Sequence, residues 1–342
     1  MASTTKILTA IVVIENTPDL SAIVTVSSKS AHTGGSRLGL TTNDEVSVID
    51  LLYGLLMVSG NDAAVALAEF VGGDINNFAE LMNKKASELG LTSSHFVTPH
   101  GLDQDEHYTT AFELAKIADY ALKNKTFSKI VNTSNYTIKI NNNQKNLHNT
   151  NELLGNMEGV YGVKTGFTNG ANRCLVTSCK RGELDIICVV LGCDTKKDRT
   201  KDSVKLINYA LANFSVVNIN NVIESEFKNW LENEAKSITV NKSDSSDLCF
   251  YLNNNQIKFE KIAVNNSEIE NIYVDINSCN NFQAPLRENS VIGNLDIYIN
   301  GVKYFSVDIL NKNLIKRKNI LDYLYTFGAK YINYYAMNLS NQ

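Results

Sequence analysis

The pattern of hydrophobic and polar positions predicts helices through most of the first 214 residues. The first helical segment is apolar on nearly every face, which indicates a helix buried in a core. Two β-type runs, 174–179 and 184–191, flank a polar turn and predict a β-hairpin. Helices on both sides of a hairpin favour an α+β fold with an antiparallel sheet flanked by helices. The predicted helices are 4–15, 47–58, 62–71, 74–89, 110–124 and 196–214.

The pattern changes near residue 215. From there to about residue 310 the segments are short, β-branched and rich in Asn, Ser and Asp, which predicts a small all-β domain. A last helix is expected over 319–337, but its charged and polar positions make it too polar to span a bilayer, which needs about 20 mostly apolar residues. We therefore predict three parts: 1–214, 215–311 and a basic, amphipathic 312–342.

Composition argues against nucleic acid and metal ions as partners. The net charge of −4 gives no electrostatic footprint for nucleic acid. Cysteines 174, 179, 188 and 193 lie close in sequence, but no pair has the CxxC spacing typical of zinc ligands. We expect buried free thiols on strands, and neither a metal nor a cofactor. The first residues also lack the basic segment and apolar run of a signal peptide.

Three short motifs carry the candidate chemistry. They are Ser3-Thr4-Thr5-Lys6, Ser59-Gly60-Asn61 and Lys164-Thr165-Gly166. Each motif alone is weak: Ser3 could cap the first helix, and the other two could be ordinary turns. The first two patterns also recur at 225–228 and 278–280, which we interpret as chance matches. The order, spacing and context of all three together indicate one site.

The first motif has the spacing of a nucleophile and its base. A serine is a weak nucleophile and needs an adjacent base. Residues three apart share a helix face, so Lys6 is expected beside Ser3. A neutral lysine at pH 7 requires its pKa to fall from about 10.4, which burial and a second cation can achieve. Lys164 is the candidate second cation.

The other two motifs would line a cleft. Ser59 and Asn61 are expected on a tight turn between helices, which Gly60 permits, with Asp62 capping the helix that follows. The third motif precedes the hairpin and is expected on a sheet edge. There Gly166 would let a substrate backbone approach, while Lys164 and Thr165 would offer donors to a carboxylate.

With these motifs the chain resembles the low-molecular-mass D-alanyl-D-alanine carboxypeptidases, the S11 family of serine peptidases. The resemblance implies a β-lactamase/transpeptidase-like first domain and covers nearly the whole chain. Members carry an export signal and a strand-bearing segment before the nucleophile helix, and we expect residues 1–342 to lack both. The family-like stretches are 1–6, 59–64, 99–103, 107–110, 149–151 and 162–168.

The resemblance implies a role for each catalytic position. Ser3 would attack the carbonyl of the penultimate D-alanine and form an acyl-enzyme. Lys6 would take its proton, and Ser59 would relay a proton to the leaving D-alanine. Penicillins, which mimic the D-Ala-D-Ala end, would trap Ser3.

The substrate-binding roles are implied in the same way. Asn61 would bind the substrate amide, and Lys164 and Thr165 would hold the terminal carboxylate. The backbone N–H groups of Ser3 and Phe167 would form the oxyanion hole. Gly166 and Thr168 belong to the same substrate-binding strand.

Partners and location follow from the resemblance as well. The expected substrate is the peptidoglycan pentapeptide stem, and the expected inhibitors are β-lactams. The expected location is the extracytoplasmic face of the bacterial membrane. The segment 312–342 would lie in the plane of an anionic membrane, although packing on its own protein is the alternative.

Two other functions remain open. A β-lactamase would need a glutamate-held water for deacylation, for which Glu152 and Asn156 have a suggestive spacing. A non-catalytic penicillin- or wall-binding protein would keep the fold without turnover. His100 and His107 are interpreted as structural, because the serine–lysine pair already supplies a base.

Overall fold

The computed structural model describes residues 1–245, 248–257 and 261–339. The chain divides into two compact units, Met1–Ala212 and Asn213–Gln342. This division lies close to the boundary expected after residue 214.

The first unit contains the predicted helices in a mixed α+β architecture. Helix α1 is central, and Ile7, Leu8 and Ile11 on it are at most 1% exposed. The predicted all-round apolarity of this helix is thus explained by burial on every side. The helices are α1 (Lys6–Asn16), α2 (Ser28–Ala31), α3 (Val48–Met57), α4 (Asn61–Gly72), α5 (Ile75–Glu88), α6 (Ala111–Leu122), α7 (Lys125–Val131) and α8 (Lys196–Asn213).

Side chains at the helix starts explain several of these boundaries. Ser47 accepts the backbone N–H of Asp50 at the start of α3. Asp74 caps α5 in the same way, and Thr110 caps α6. Each cap supplies an acceptor to an N–H group that has no partner within the helix.

The strands of the first unit form small antiparallel sheets. Strands β1 and β2 pair, β3 and β4 form a hairpin, and β5, β6 and β7 form a three-stranded sheet in that order. The predicted hairpin is β6–β7, and β5, which carries the third motif, lies at an edge as expected. The strands are β1 (Ile23–Thr25), β2 (Glu45–Ser47), β3 (Asn135–Ile140), β4 (Asn143–His148), β5 (Val160–Thr168), β6 (Asn172–Arg181) and β7 (Leu184–Cys193).

The prediction that Asp62 caps α4 is wrong. The helix begins at Asn61, and Asp62 lies in its first turn. Its buried carboxylate instead accepts the backbone N–H groups of Leu38, Gly39 and Leu40 at 2.7, 2.7 and 3.0 Å. Asp62 therefore holds a distant loop against α4, a contact that local sequence cannot reveal.

The second unit is rich in strands. Its main sheet is antiparallel with the order β10-β15-β14-β12. Buried Leu295, Ile297, Val307 and Ile309 form the centre of its core. The strands are β8 (Phe214–Asn218), β9 (Thr239–Asn241), β10 (Phe250–Leu252), β11 (Lys261–Asn265), β12 (Ile272–Ser278), β13 (Asn281–Gln283), β14 (Val291–Ile299) and β15 (Val302–Asn311).

The all-β expectation for this region missed one helix, α9 (Ile219–Asn233). Its Asn-rich sequence is typical of loops, but Asn218 caps it and Ile219, Ile223 and Trp230 are buried. Ser225 of the recurring motif lies exposed on this helix, which agrees with a chance match.

The last helix, α10, spans Ile320–Leu339, close to the predicted 319–337. Leu321, Leu324 and Phe327 on it are exposed. No helix among the described residues is long and apolar enough to cross a membrane. Positions 340–342 of the predicted third part lie outside the described residues.

The cysteines of the β6–β7 hairpin are free thiols on strands, as expected. Cys174, Cys179 and Cys188 are buried, and Cys193 is partly buried.

Candidate active site

Ser3 and Lys6 are brought into contact by the start of the first helix. Residues Ala2–Thr5 form a 3-10 turn that continues into α1. The Lys6 Nζ lies 2.8 Å from the Ser3 Oγ, and both side chains are buried. Ser3 lies inside the turn and is not the cap residue of α1. The predicted pairing at i and i+3 is thus present.

The turn that carries Ser3 is held tightly by two glycines of other segments. A Cβ on Gly101, where φ is +82°, would lie 1.9 Å from the Ala2 carbonyl oxygen. A Cβ on Gly166 would lie 3.1 Å from the Met1 carbonyl oxygen. Gly166 is predicted to admit a substrate backbone, and its missing side chain also admits the chain's own nucleophile turn.

Lys6 is enclosed by polar partners. Its Nζ also contacts the Asn61 Oδ1 at 2.7 Å and the His100 carbonyl oxygen at 2.9 Å. Burial lowers the pKa of Lys6 well below its usual value, and the nearby charge of Lys164 lowers it further, against a smaller opposing effect of Asp62. A neutral Lys6 keeps two N–H donors for Asn61 and His100 and turns its lone pair toward Ser3.

Lys164 is the predicted second cation near Lys6. It lies on β5, is 1% exposed, and its Nζ donates to the Thr165 carbonyl oxygen at 3.0 Å. Burial, with a contribution from the charge of Arg199, lowers the pKa of Lys164 to about 7. The site therefore contains two lysines whose positive charges are both disfavoured.

Arg199 was missed by the sequence analysis. It lies on α8, is 3% exposed, and acts electrostatically on Lys164. Its guanidinium contacts the Glu152 carboxylate at 2.7 Å. A charged residue in an amphipathic helix is an ordinary feature, so no local pattern distinguishes Arg199 from other surface charges.

Ser59 lies on the turn between α3 and α4, and Asn61 is the first residue of α4. Ser59 has a φ of +64°, a conformation that is costly for a residue other than glycine and that occurs often at functional sites. Gly60 has an ordinary φ, but a Cβ there would lie 2.9 Å from the Asp62 Oδ1 and 3.1 Å from the Leu38 backbone nitrogen. Close packing, and not backbone freedom, thus requires glycine here.

The hydroxyls of β5 differ in their availability. The Thr165 Oγ1 lies 2.9 Å from the Thr150 Oγ1 in an exposed position. The Thr168 hydroxyl is engaged inside the protein: it donates to the Asp103 carboxylate at 2.6 Å and accepts the Ala171 N–H. Phe167 is 46% exposed. Thr165 and Phe167 are therefore open to a ligand, whereas Thr168 ties β5 to another loop.

The two histidines are held in neutral forms. Burial lowers the pKa of His100 to about 3, with a contribution from Lys6, and burial also lowers that of His107 to about 4. The His100 ring accepts the Leu102 N–H, and the His107 ring bridges Val97 and Thr5. These contacts agree with a structural role for both rings.

Glu152 is engaged elsewhere. Its carboxylate contacts Arg199 and Lys196 and accepts the Thr200 hydroxyl. Asn156 donates to the Glu152 backbone carbonyl, so the two side chains do not converge on a common water site.

The site combines a buried serine–lysine pair, a serine-bearing turn and an edge strand with lysine and threonine. This combination is that of an active-serine acyl-transfer enzyme. The sequence model of the D-alanyl-D-alanine carboxypeptidases, peptidase S11, matches residues 1–195. The chain belongs to this family. The predicted family and the predicted α+β fold class of the first unit are confirmed, whereas the amphipathic character of the last helix stays a prediction.

Curated relatives support the same assignment. D-alanyl-D-alanine carboxypeptidase DacF of Bacillus subtilis is 38% identical over 218 residues, which cover 62% of this chain and 56% of the relative. The chain thus spans little more than half of that relative. D-alanyl-D-alanine carboxypeptidase DacA of Haemophilus influenzae is 31% identical over 343 residues, covering 95% of this chain and 81% of the relative.

Solved structures show the same fold. Penicillin binding protein 5 from Haemophilus influenzae has a TM-score of 0.69 at 28% identity, covering 92% of this chain and 90% of that chain. The Streptomyces K15 DD-transpeptidase has a TM-score of 0.58 at 37% identity, covering 62% of this chain and 87% of that chain.

Proposed function

We propose that this protein is a serine carboxypeptidase that removes the terminal D-alanine from peptidoglycan stem peptides. The observation that carries the proposal is the buried Lys6 Nζ at 2.8 Å from the Ser3 Oγ, with the pKa of Lys6 lowered by burial and by Lys164. This arrangement favours an unprotonated amine next to a hydroxyl, which is what acyl transfer by serine requires.

The first step forms an acyl-enzyme. The Ser3 Oγ attacks the carbonyl carbon of the penultimate D-alanine while Lys6 accepts the hydroxyl proton. The developing oxyanion is stabilised by the backbone N–H groups of Ser3 and Phe167. Lys164 and Thr165 hold the substrate's terminal carboxylate, and the buried charge of Arg199 adds to the positive field there.

The second step releases the terminal D-alanine and then the shortened stem. When the C–N bond breaks, Ser59 relays a proton to the leaving amine. Asn61 binds the amide of the stem next to the reacting carbonyl. Water then hydrolyses the ester on Ser3, and the proton path runs in reverse. A penicillin forms an equivalent ester on Ser3, but its leaving group stays attached to the acyl group.

Intact mass spectrometry with a penicillin tests the proposal. We expect one stable covalent adduct on the wild-type chain and none on Ser3→Ala. We also expect release of D-alanine from a D-Ala-D-Ala peptide by the wild type alone. A wild-type chain that melts cooperatively but forms no adduct and releases no D-alanine would contradict the proposal and favour a non-catalytic wall-binding protein.

A β-lactamase is less well supported. Rapid deacylation would need a glutamate free to hold a water, whereas Glu152 is occupied by Arg199, Lys196 and Thr200. The same mass experiment separates the two enzymes: a β-lactamase would consume excess penicillin and leave little adduct.

We further propose a peripheral membrane position on the extracytoplasmic side. The support is an exposed set of apolar and aromatic side chains on α10, preceded by Lys312, Lys316, Arg317 and Lys318. Such a combination suits in-plane binding to an anionic bilayer. Co-flotation with anionic liposomes should be lost on deletion of residues 319–342, and unchanged flotation would contradict this placement.

A further inference from the structure

An arginine lies next to the exposed end of β5, the candidate substrate-binding strand. Arg173 lies on β6 directly opposite Phe167 on β5. Its guanidinium carbon lies 3.6 Å from the centre of the Phe167 ring. A guanidinium stacked on an aromatic face is held in a defined orientation, so less entropy is lost when it binds an anion.

The charge of Arg173 is available to a ligand. Among the residues that the structure describes, no carboxylate forms an ion pair with it. The Asp103 carboxylate, which contacts the end of β5, is already engaged by the Thr168 hydroxyl and the Gly170 N–H. Phe167, on which the guanidinium rests, is itself 46% exposed.

The direction of the substrate along β5 places its stem near this arginine. In the proposed function the terminal carboxylate lies at Lys164 and Thr165, and the reacting carbonyl lies at the Phe167 N–H. The strand direction from Thr165 to Thr168 thus runs from the leaving D-alanine toward the rest of the stem. The side chain of Phe167 is on the same face as that of Thr165, about 6–7 Å further along.

We propose that Arg173 selects stems in which the residue before D-Ala-D-Ala carries a side chain ending in a free carboxylate. The guanidinium would donate two parallel N–H bonds to that carboxylate, an arrangement that an amide or an ammonium group cannot match. The inference rests on the proposed function and makes Arg173 a specificity-determining residue of the same site.

The test compares two synthetic D-Ala-D-Ala tripeptides that differ only in the end of the first side chain. One ends in a carboxylate and the other in the carboxamide of the same length. For the wild type we expect kcat/KM to favour the carboxylate by about tenfold, a charge-assisted hydrogen-bond effect. The preference should shrink at high salt, because Arg173 lies at the solvent-exposed rim.

Substitutions at Arg173 separate charge from packing. Arg173→Gln should abolish the preference, Arg173→Lys should keep part of it, and Arg173→Glu should reverse it in favour of the carboxamide. Arg181→Gln is the matched control, since Arg181 lies at the other end of β6 and donates to the Glu158 carbonyl. Rates are divided by the number of active sites that penicillin labels, which removes any effect of misfolded protein.

The outcomes are distinct. Loss of preference in Arg173→Gln with retention in Arg181→Gln supports the inference. Equal hydrolysis of both peptides by the wild type, or an unchanged preference in Arg173→Gln and Arg173→Glu, overturns it while leaving the proposed function intact. Hydrolysis of neither peptide and absence of a penicillin adduct would overturn the proposed function, and the inference with it.

Discussion

The floor and the rim of the candidate site are built in opposite ways. The floor consists of Ser3, Lys6 and Lys164, all of them buried, with the pKa of each lysine lowered. The rim consists of Phe167 and Arg173, which are partly open to solvent and stacked on each other. We infer that burial creates the reactivity of the floor, whereas exposure lets the rim select among substrates.

The largest expected effect comes from removing Lys6, the candidate base at the floor of the site. Lys6→Met should lower the rate of Ser3 acylation by about 10²–10⁴-fold, the usual contribution of a general base. The measurement is the pseudo-first-order rate of penicillin adduct formation. Lys123→Met, at an exposed lysine on the surface, should leave this rate unchanged. Acylation of Lys6→Met at the wild-type rate would show that another group takes the proton.

The next largest effect comes from displacing the nucleophile turn. Gly101→Ala places a methyl group against the Ala2 carbonyl in a left-handed backbone conformation and should cost about 2–4 kcal/mol of unfolding free energy. Acylation of Ser3 should slow as well. Gly34→Ala, whose Cβ would meet nothing within 4 Å, is the control. Denaturant unfolding measures the difference, and equal stability of both variants would contradict the close packing.

The pH dependence of substrate binding should report Lys164. Its pKa is about 7, so Lys164 loses its charge as the pH rises through that value, and its attraction for the terminal carboxylate weakens. KM should therefore rise about tenfold between pH 6 and pH 8, as expected for one ionisation. Lys164→Arg stays charged and should flatten this rise. A KM that falls over this range would reverse the assigned role.

The smallest expected effect comes from replacing Thr168, and it shows whether the role of this residue is structural or substrate-binding. Thr168→Val removes the bonds to Asp103 and Ala171 and should cost about 1–2 kcal/mol of stability with little change in KM. Thr42→Val, at an exposed position, should change neither quantity. A large rise in KM without loss of stability would place Thr168 among the substrate contacts instead.

The sequence could predict the parts of the site that depend on local geometry. The contact between Ser3 and Lys6 follows from their i and i+3 spacing, and the edge position of Lys164 follows from the hairpin that comes next. Arg199 and the tether of Asp62 to residues 38–40 depend on tertiary packing between distant segments, which no local pattern encodes. Helix α9 was missed because its polar face is rich in asparagine, although its buried positions repeat at helical spacing.

The ionisation of Lys6 tests the central claim most directly. Lysines labelled with ¹³C at Cε can be titrated by NMR, with the Lys6 and Lys164 signals assigned through Lys6→Arg and Lys164→Arg. The account predicts that the Lys6 pKa lies well below that of an exposed lysine, and that it rises when the positive charge of Lys164 is removed by Lys164→Met. A Lys6 signal that titrates near the ordinary value of about 10.4 would contradict the account, because a protonated Lys6 cannot act as the base for Ser3.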